Sequence, residues 1–266
     1  MASRAQQKEE ARQRRLAEEQ ARAAQAQRQR RMMTLLGIVL IAVIVVGVAV
    51  VALSSGGTGS GPNPTSAAGK QQASVVNSLL RGIPQSGNTL GAKTAKVTVT
   101  EYGDLECPIC RDFDLGALQQ LITKDVRSGT VNVAYRSLCT ATCNGPNQAV
   151  FPTQQAAAIA AGQQGHEWDY IELFYHQQGS ETSTYVNDSY LNALAKEISG
   201  LNFAHWLSAR SQNALAAQVT ADQQAAAAAG YNSTPTIVVK GPKGQASATV
   251  GNTDYATLES KIKSVS

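Results

Sequence analysis

The residues best suited to chemistry in this chain are its four cysteines, which all lie between positions 107 and 143. Cys107 and Cys110 form a Cys-Pro-Ile-Cys motif, and Cys139 and Cys143 are separated by three residues. Cysteines spaced i and i+3 in the first turn of a helix share one face and are within reach of a disulfide. The spacing alone fits a redox-active dithiol or half of a zinc site, with the second pair supplying the other half.

The elements around the motif favour the redox interpretation. Residues 96–102 alternate β-branched residues and predict a strand, residues 107–124 repeat apolar side chains at helical spacing, and residues 131–135 predict a second strand. Pro108 suits the first turn of the helix, where a missing N–H costs nothing. The motif therefore lies at a strand-to-helix junction, whereas zinc knuckles place their cysteine pairs on turns.

A helix N-terminus would make Cys107 reactive. Free backbone N–H groups and the positive end of the helix dipole stabilise a thiolate and lower its pKa, and the thiolate is the species that attacks disulfides. We therefore predict that Cys107 is the exposed nucleophile. Cys110, one turn further in, is predicted to be the buried resolving partner.

The rest of the chain predicts an α/β fold. Residues 154–229 contain several helical segments, residues 236–240 predict a strand, residues 246–250 predict its hairpin partner, and residues 255–265 predict a closing helix. The order β-α-β, helical block, β-β-α is typical of one mixed sheet with helices packed on it. The helical block is then an insertion into that fold.

Two motifs resemble a known family. The segment EYGDLECPIC at 101–110 and the segment Ser233-Thr234-Pro235-Thr236 before the third strand resemble the thioredoxin superfamily, specifically its DsbA-like proteins. The resemblance covers about residues 90–266. It implies a thioredoxin-like fold with an inserted α-helical domain at about 138–212, and a cis Thr234–Pro235 bond that faces the cysteines. Without the resemblance, Pro235 reads as an ordinary strand-initiating proline.

The resemblance also assigns roles to other residues. Glu101 lies six positions before Cys107, where the family places a buried acid that takes the proton of the second cysteine. The alternative is an exposed strand glutamate. Pro108, Ile109 and Thr234 are expected to contact substrate, and no cofactor is expected.

The resemblance implies a protein disulfide oxidoreductase that introduces disulfides into exported proteins and is reoxidised by a quinone-linked membrane partner. The dipeptide between the cysteines is Pro108-Ile109, whereas strongly oxidising members have Pro-His there. The direction of catalysis therefore stays open between an oxidase and a reductase or isomerase. A third hypothesis is a membrane-tethered zinc-binding or structural interaction domain.

The second pair, Cys139 and Cys143, lies in a predicted loop. We predict a structural disulfide there, with a second redox relay as the alternative and no metal site.

The N-terminal region predicts a membrane anchor. Residues 35–53 form an unbroken apolar run, which as a helix spans about 28 Å, the thickness of a hydrocarbon core. A cleaved signal peptide is the rival interpretation, but its apolar region is usually shorter, roughly 7–15 residues. We therefore predict a single transmembrane helix ahead of the α/β domain.

Charge predicts the orientation of that helix. Residues 1–34 contain nine basic and four acidic residues, whereas residues 54–66 contain no charge. The positive-inside rule places residues 1–34 in the cytoplasm and the rest of the chain outside. Residues 54–74 are then a Gly/Ser/Pro-rich flexible linker and residues 75–266 the catalytic domain. The basic segment has no interleaved aromatic residues, so nucleic-acid binding is not expected.

Overall fold

Three strands form the centre of the sheet that carries the CPIC motif. The computed structural model describes residues 61–266. Strands β3 (Val97–Gly103) and β4 (Val131–Ser137) are parallel, and β5 (Thr236–Gly241) is antiparallel to β3. Four two-residue strands complete the sheet: β1 (Gln85–Ser86), β2 (Thr89–Leu90), β6 (Gly244–Gln245) and β7 (Thr249–Val250). The order is β1-β2-β4-β3-β5-β6, with β7 also paired to β5.

Strand β3 carries an acid on its buried face. Val97, Val99, Glu101 and Gly103 are buried, and the residues between them are half-buried. This is the period-two alternation of a strand, so Glu101 occupies a position in line with core valines.

The helices follow the predicted order. They are α1 (Ala67–Leu80), α2 (Pro108–Phe113), α3 (Gln119–Leu121), α4 (Ala141–Asn144), α5 (Phe151–Gly162), α6 (Glu167–His176), α7 (Asp188–Lys196), α8 (Phe203–Arg210), α9 (Asn213–Ala228) and α10 (Tyr255–Val265). The predicted helix after the CPIC motif is a continuous helical stretch over 108–126, in which π-helical turns at Asp114–Leu118 and Ile122–Val126 alternate with α2 and α3.

The prediction of a flexible linker over 54–74 is wrong for its last third. Residues 67–74 belong to helix α1, which Ser66 caps by accepting a hydrogen bond from the N–H of Gly69. Gln72 and Val76 are buried where α1 packs against α6. Packing against α6 stabilises this helix. The Gly- and Ser-rich composition did not predict it, because the helix propensity of a segment depends on its own residues and not on a partner far along the chain.

The predicted return strand over 246–250 is interrupted. Strands β6 and β7 are separate two-residue pieces, each antiparallel to β5. Between them, the N–H of Ala246 donates to the carbonyl of Val239 at 2.9 Å, so a single bond continues the pairing. Strands β1 and β2 were not predicted from the sequence.

The aromatic residues of α6 are core residues. Trp168, Tyr170, Phe174 and Tyr175 are all fully buried. They pack the helical block that follows β4 in the chain and do not form an exposed groove.

The predicted cytoplasmic segment, the membrane span at 35–53 and the start of the linker lie outside the described residues. Across residues 61–266, no helix combines the length and the apolar character that crossing a bilayer requires.

Candidate active site

The CPIC motif lies where the turn after β3 becomes helix α2. Cys107 is the N-cap of α2, and its sulfur accepts a hydrogen bond from the N–H of Cys110 at 3.4 Å. Pro108 occupies the first turn, where its missing N–H leaves no bond unmade. Both cysteines are free thiols, so the structure describes the dithiol form.

Cys107 is less accessible than the sequence predicted. It is only 5% exposed, and Cys110 is fully buried. The cause is the loop before β5, because the Cys107 sulfur lies 3.7 Å from the carbonyl oxygen of Thr234. Attack by a substrate therefore requires an approach along the edge of this loop.

The two thiols have very different acidities. Hydrogen bonds from the Cys110 thiol, from the Thr234 side chain and from backbone N–H groups outweigh burial and lower the pKa of Cys107 to about 7. Burial raises the pKa of Cys110 well above its usual range, and its hydrogen bond to Cys107 adds to this. A large part of Cys107 is therefore thiolate at neutral pH, while Cys110 keeps its proton.

The Thr234–Pro235 peptide bond is cis, as predicted. The Pro235 carbonyl accepts a hydrogen bond from the N–H of Gly251 at 2.9 Å, which ties the loop to the end of β7. Pro108 and Ile109 are exposed beside Cys107.

Two exposed apolar side chains lie on segments near this approach. Among residues 61–266, three large hydrophobic side chains are exposed: Ile109, Leu207 and Val250. Ile109 belongs to the CPIC motif, and Val250 pairs with Thr236, the residue after Pro235. Two of the three therefore belong to segments that border Cys107, which suits a peptide substrate.

Glu101 is a fully buried acid, and the exposed alternative is wrong. It lies in the central strand, in register with Tyr135 of β4 and Ile237 of β5. The pKa of Glu101 is raised to about 8, chiefly by burial and partly by the charge of Glu172, against a lowering effect of the Asp114 side chain. The charge of its carboxyl also raises the pKa of Cys110.

Gly103 makes room for the Glu101 carboxyl, and we expect Gly103→Ala to be destabilising. A Cβ at Gly103 would lie 2.6 Å from Cε2 of Tyr135 and 2.9 Å from Oε1 of Glu101. Overpacking of this kind costs about 1–3 kcal/mol. Chemical denaturation measures the loss.

The matched control is Gly116→Ala, because a Cβ there meets nothing within 4 Å. That substitution should be neutral or slightly stabilising. Equal effects of the two substitutions would contradict the steric explanation.

Asp104 organises the turn that leads into α2. Its fully buried carboxylate accepts four hydrogen bonds, from the backbone N–H groups of Glu106, Thr140 and Thr142 and from the Thr142 hydroxyl, at 2.5–3.1 Å. One carboxylate therefore joins the loop that positions Cys107 to the segment after β4.

The second cysteine pair closes that segment. Cys139 and Cys143 form a disulfide with a Cα–Cα distance of 5.7 Å, as predicted. The enclosed Thr140 hydroxyl contacts the Thr234 hydroxyl. With their sulfurs bonded to each other, Cys139 and Cys143 do not complete a zinc site with Cys107 and Cys110.

Sequence reasoning missed Asp104, Asp114, Thr140 and Glu172 as site residues. Asp114 had a signal, because it lies four positions after Cys110 and so on the same helical face. Asp104 and Thr140 meet across 36 positions of the chain, and no local pattern marks that contact.

The chain is similar to curated proteins over part of their length. A probable disulfide bond formation protein D of Bacillus anthracis is 24% identical over 136 residues, which is 47% of this chain and 59% of that protein. The Na(+)/H(+) antiporter NhaA 1 of Salinispora arenicola is 34% identical over 99 residues, 36% of this chain and 14% of the antiporter. The chain thus spans less than two thirds of each.

The fold and the family agree with each other. The oxidised crystal structure of BdbD from Bacillus subtilis superposes with a TM-score of 0.58 at 20% identity, covering 68% of this chain and 96% of that chain. The likeness shows a shared thioredoxin-like fold. Residues 85–263, which include both the CPIC motif and the cis-proline loop, match the family model Thioredoxin_4, described as thioredoxin. The chain therefore belongs to the thioredoxin family.

Proposed function

We propose that this protein is a DsbA-type thiol–disulfide oxidoreductase that introduces disulfides into exported proteins through the Cys107–Cys110 couple. The observation that carries the proposal is the difference in acidity between the two thiols at one helix start, beside a cis-proline loop. A reactive thiolate next to a buried thiol is the arrangement that forms and resolves mixed disulfides. The similarity to a probable disulfide bond formation protein supports the proposal.

The reaction begins from the disulfide form. A substrate thiolate attacks the Cys107 sulfur, a mixed disulfide forms, and the electron pair of the broken bond passes to Cys110, which takes up a proton. A second substrate thiolate then attacks the substrate sulfur of the mixed disulfide and releases Cys107 as a thiolate. The substrate loses two electrons and gains a disulfide, and the CPIC motif is left as the dithiol.

The substrate binds beside the cis-proline loop in this proposal. Ile109 and Val250 supply apolar contacts, and the backbone at Thr234 lies along the path to Cys107. The dithiol must then be reoxidised, and we assign this step to a quinone-linked membrane partner.

We place the catalytic domain outside the cytoplasmic membrane. The basic residues of segment 1–34 precede the apolar run 35–53, which favours a cytoplasmic N-terminus and a single span. The Cys139–Cys143 disulfide suits an oxidising compartment. Labelling of intact cells with a membrane-impermeant thiol reagent tests this, since Cys107 should react without lysis after reduction, and labelling only after lysis would overturn it.

A reductase or isomerase is the second candidate, and one observation favours it. A Cys107 pKa of about 7 resembles the thiol of thioredoxin, about 7, more than that of DsbA, about 3.5. A less stabilised thiolate makes the dithiol form less favoured and the disulfide less oxidising.

Direct measurement separates the two candidates. The full-length protein in its disulfide form is mixed with a reduced, unfolded protein substrate, and its redox equilibrium with glutathione is determined. We expect stoichiometric transfer of the disulfide to the substrate and an equilibrium on the oxidising side of glutathione. Reduction of insulin without oxidation of the reduced substrate would instead establish a reductase.

A further inference from the structure

Three fully buried carboxyl groups lie in the core, as does the resolving cysteine, and the family resemblance assigns a role to only one of them, Glu101. Glu101 of β3, Asp114 of the π-helical turn after α2, and Glu172 of α6 are all fully buried. We call these three residues the carboxyl cluster. We propose that the carboxyl cluster acts as one shared proton store for Cys110, with Asp114 and Glu172 as positioning residues that set how readily Glu101 gives and takes the proton.

The first support is that the carboxyl oxygens of the cluster receive no hydrogen bond from the other described residues. Of the described residues beyond the cluster itself, none donates a hydrogen bond to a carboxyl oxygen of Glu101, Asp114 or Glu172. Burial of several ionised carboxylates without donors or cations costs many kcal/mol, so such groups retain protons instead. The carboxyl cluster therefore holds protons inside the core.

The second support is the coupling between two members. All four carboxyl oxygens of Glu101 and Asp114 are buried without a hydrogen-bond partner, and burial together with the charge of Glu101 raises the pKa of Asp114 well above its usual range. Two ionised carboxylates only accept hydrogen bonds and repel each other, so the pair is buried at least cost while one member carries a proton. Asp114 lies one helical turn after Cys110, which places the shared proton beside that thiol.

The third member comes from the inserted helical block. Helix α6 packs against the turn Asp114–Leu118 and brings Glu172 into the core. Glu172 raises the pKa of both Glu101 and Asp114. Its Oε2 lies 3.9 Å from Nε2 of His176, which is 7% exposed and hydrogen-bonds to Gln72 of α1 at 2.9 Å. The carboxyl cluster thus extends from the fully buried cysteine toward less buried polar groups.

The surroundings do not neutralise the carboxyl cluster. Burial and the charge of nearby Arg111 lower the pKa of His176 to about 4, so its ring is neutral at pH 7. The other titratable groups that act on the cluster or on its thiol are Cys107, Cys110, Asp104, Tyr135, Asp169 and Tyr175. None of them is a cation, so shared protons are the means by which the cluster stays buried.

The proton balance follows from the proposed exchange reaction, on which this inference rests. When a substrate thiolate opens the Cys107–Cys110 disulfide, the Cys110 thiolate takes one proton from the carboxyl cluster. When Cys110 later resolves a mixed disulfide on Cys107, it returns that proton and attacks as the thiolate. One proton moves for each electron pair that passes through Cys110.

The test is the pH profile of the resolving step. The reduced full-length protein is mixed in stopped flow with the symmetric disulfide of a small thiol across a range of pH, and release of the second thiol, which Cys110 displaces from the mixed disulfide on Cys107, is followed. The rate should rise as the carboxyl cluster loses its proton. Wild-type protein that never releases the thiol would contradict the proposed function itself, not only the cluster.

Two variants should move the midpoint of this profile in opposite directions. Glu172→Gln removes a like charge, so the midpoint should fall by on the order of one pH unit. Asp114→Leu removes the side chain that lowers the pKa of Glu101, so the midpoint should rise. A purely structural role for these residues would slow the reaction without opposite shifts.

The matched control is Glu167→Gln. Glu167 is a buried glutamate at the start of the same helix, and only Asp222 is charge-coupled to it. Its profile should superimpose on that of the wild type. Superposition of all four profiles would overturn the carboxyl cluster while leaving thiol–disulfide exchange intact.

An infrared measurement on the wild type keeps the proposal testable if a variant does not fold. The difference spectrum between the disulfide and dithiol forms should show changes in the carbonyl band of protonated carboxyl groups, sensitive to deuteration. An unchanged carboxyl region would overturn the proposal.

Discussion

Cys107→Ser is expected to abolish thiol–disulfide exchange, and Cys110→Ser is expected to trap mixed disulfides. Cys107 is the thiol with a lowered pKa, next to the exposed Pro108 and Ile109, so its loss removes the nucleophile and leaves only the uncatalysed rate. Cys110 is fully buried and reacts only with Cys107, so its loss leaves the first step intact and blocks resolution. Insulin reduction and non-reducing electrophoresis with a thiol substrate measure the two outcomes.

The double variant Cys139→Ser/Cys143→Ser is the control for thiol content. It keeps the CPIC motif, so it should retain exchange activity, although a disulfide no longer closes the loop that carries Thr140. Loss of all exchange in this variant would support the relay alternative for the second pair. Unchanged activity in Cys107→Ser would refute the proposed function.

Asp104→Ala should cause the largest loss of stability among single substitutions at the site. The substitution leaves three backbone N–H groups and one hydroxyl without their acceptor. Unpaired buried donors and broken charged hydrogen bonds cost about 3–5 kcal/mol in total, which corresponds to a Tm lower by roughly 10 °C. Thermal and chemical unfolding measure the loss.

The same substitution should also raise the pKa of Cys107. Asp104 holds Thr140, whose hydroxyl contacts that of Thr234, and the Thr234 side chain hydrogen-bonds to the Cys107 sulfur. Without Asp104, Thr140 and Thr234 are held less firmly, so the hydrogen bonds that stabilise the Cys107 thiolate become weaker. Ultraviolet absorbance of the thiolate as a function of pH provides the measurement.

Asp254→Ala is the matched comparison. Asp254 also accepts a backbone N–H, that of Thr257 at 2.7 Å, but it is an exposed N-cap far along the chain from the site. Its loss should destabilise the protein far less than the loss of Asp104 and leave the pKa of Cys107 unchanged. If the two aspartate variants unfold at the same denaturant concentration, Asp104 does not organise the active-site turn.

The sequence by itself determined the position of the redox centre. Strand and helix periodicities are local signals, and together they place Cys107 and Cys110 at a strand-to-helix junction without the help of any distant contact. The disulfide between Cys139 and Cys143 was predicted from their spacing in a loop, and the cis bond at Pro235 from the family resemblance; the structure confirms both.

Only the tertiary structure decided how that centre is surrounded. Thr140 and Thr234 are 94 positions apart, and Gln72 and His176 are 104 apart, so no periodicity could pair them. The same applies to α1, which is helical because α6 gives it a surface to pack on. It applies to Glu172 as well, whose spacing in α6 shows only that it is helical. Burial and partners are set by long-range packing, and for an acid these two properties decide whether it is a solvated charge or a proton store beside Cys110.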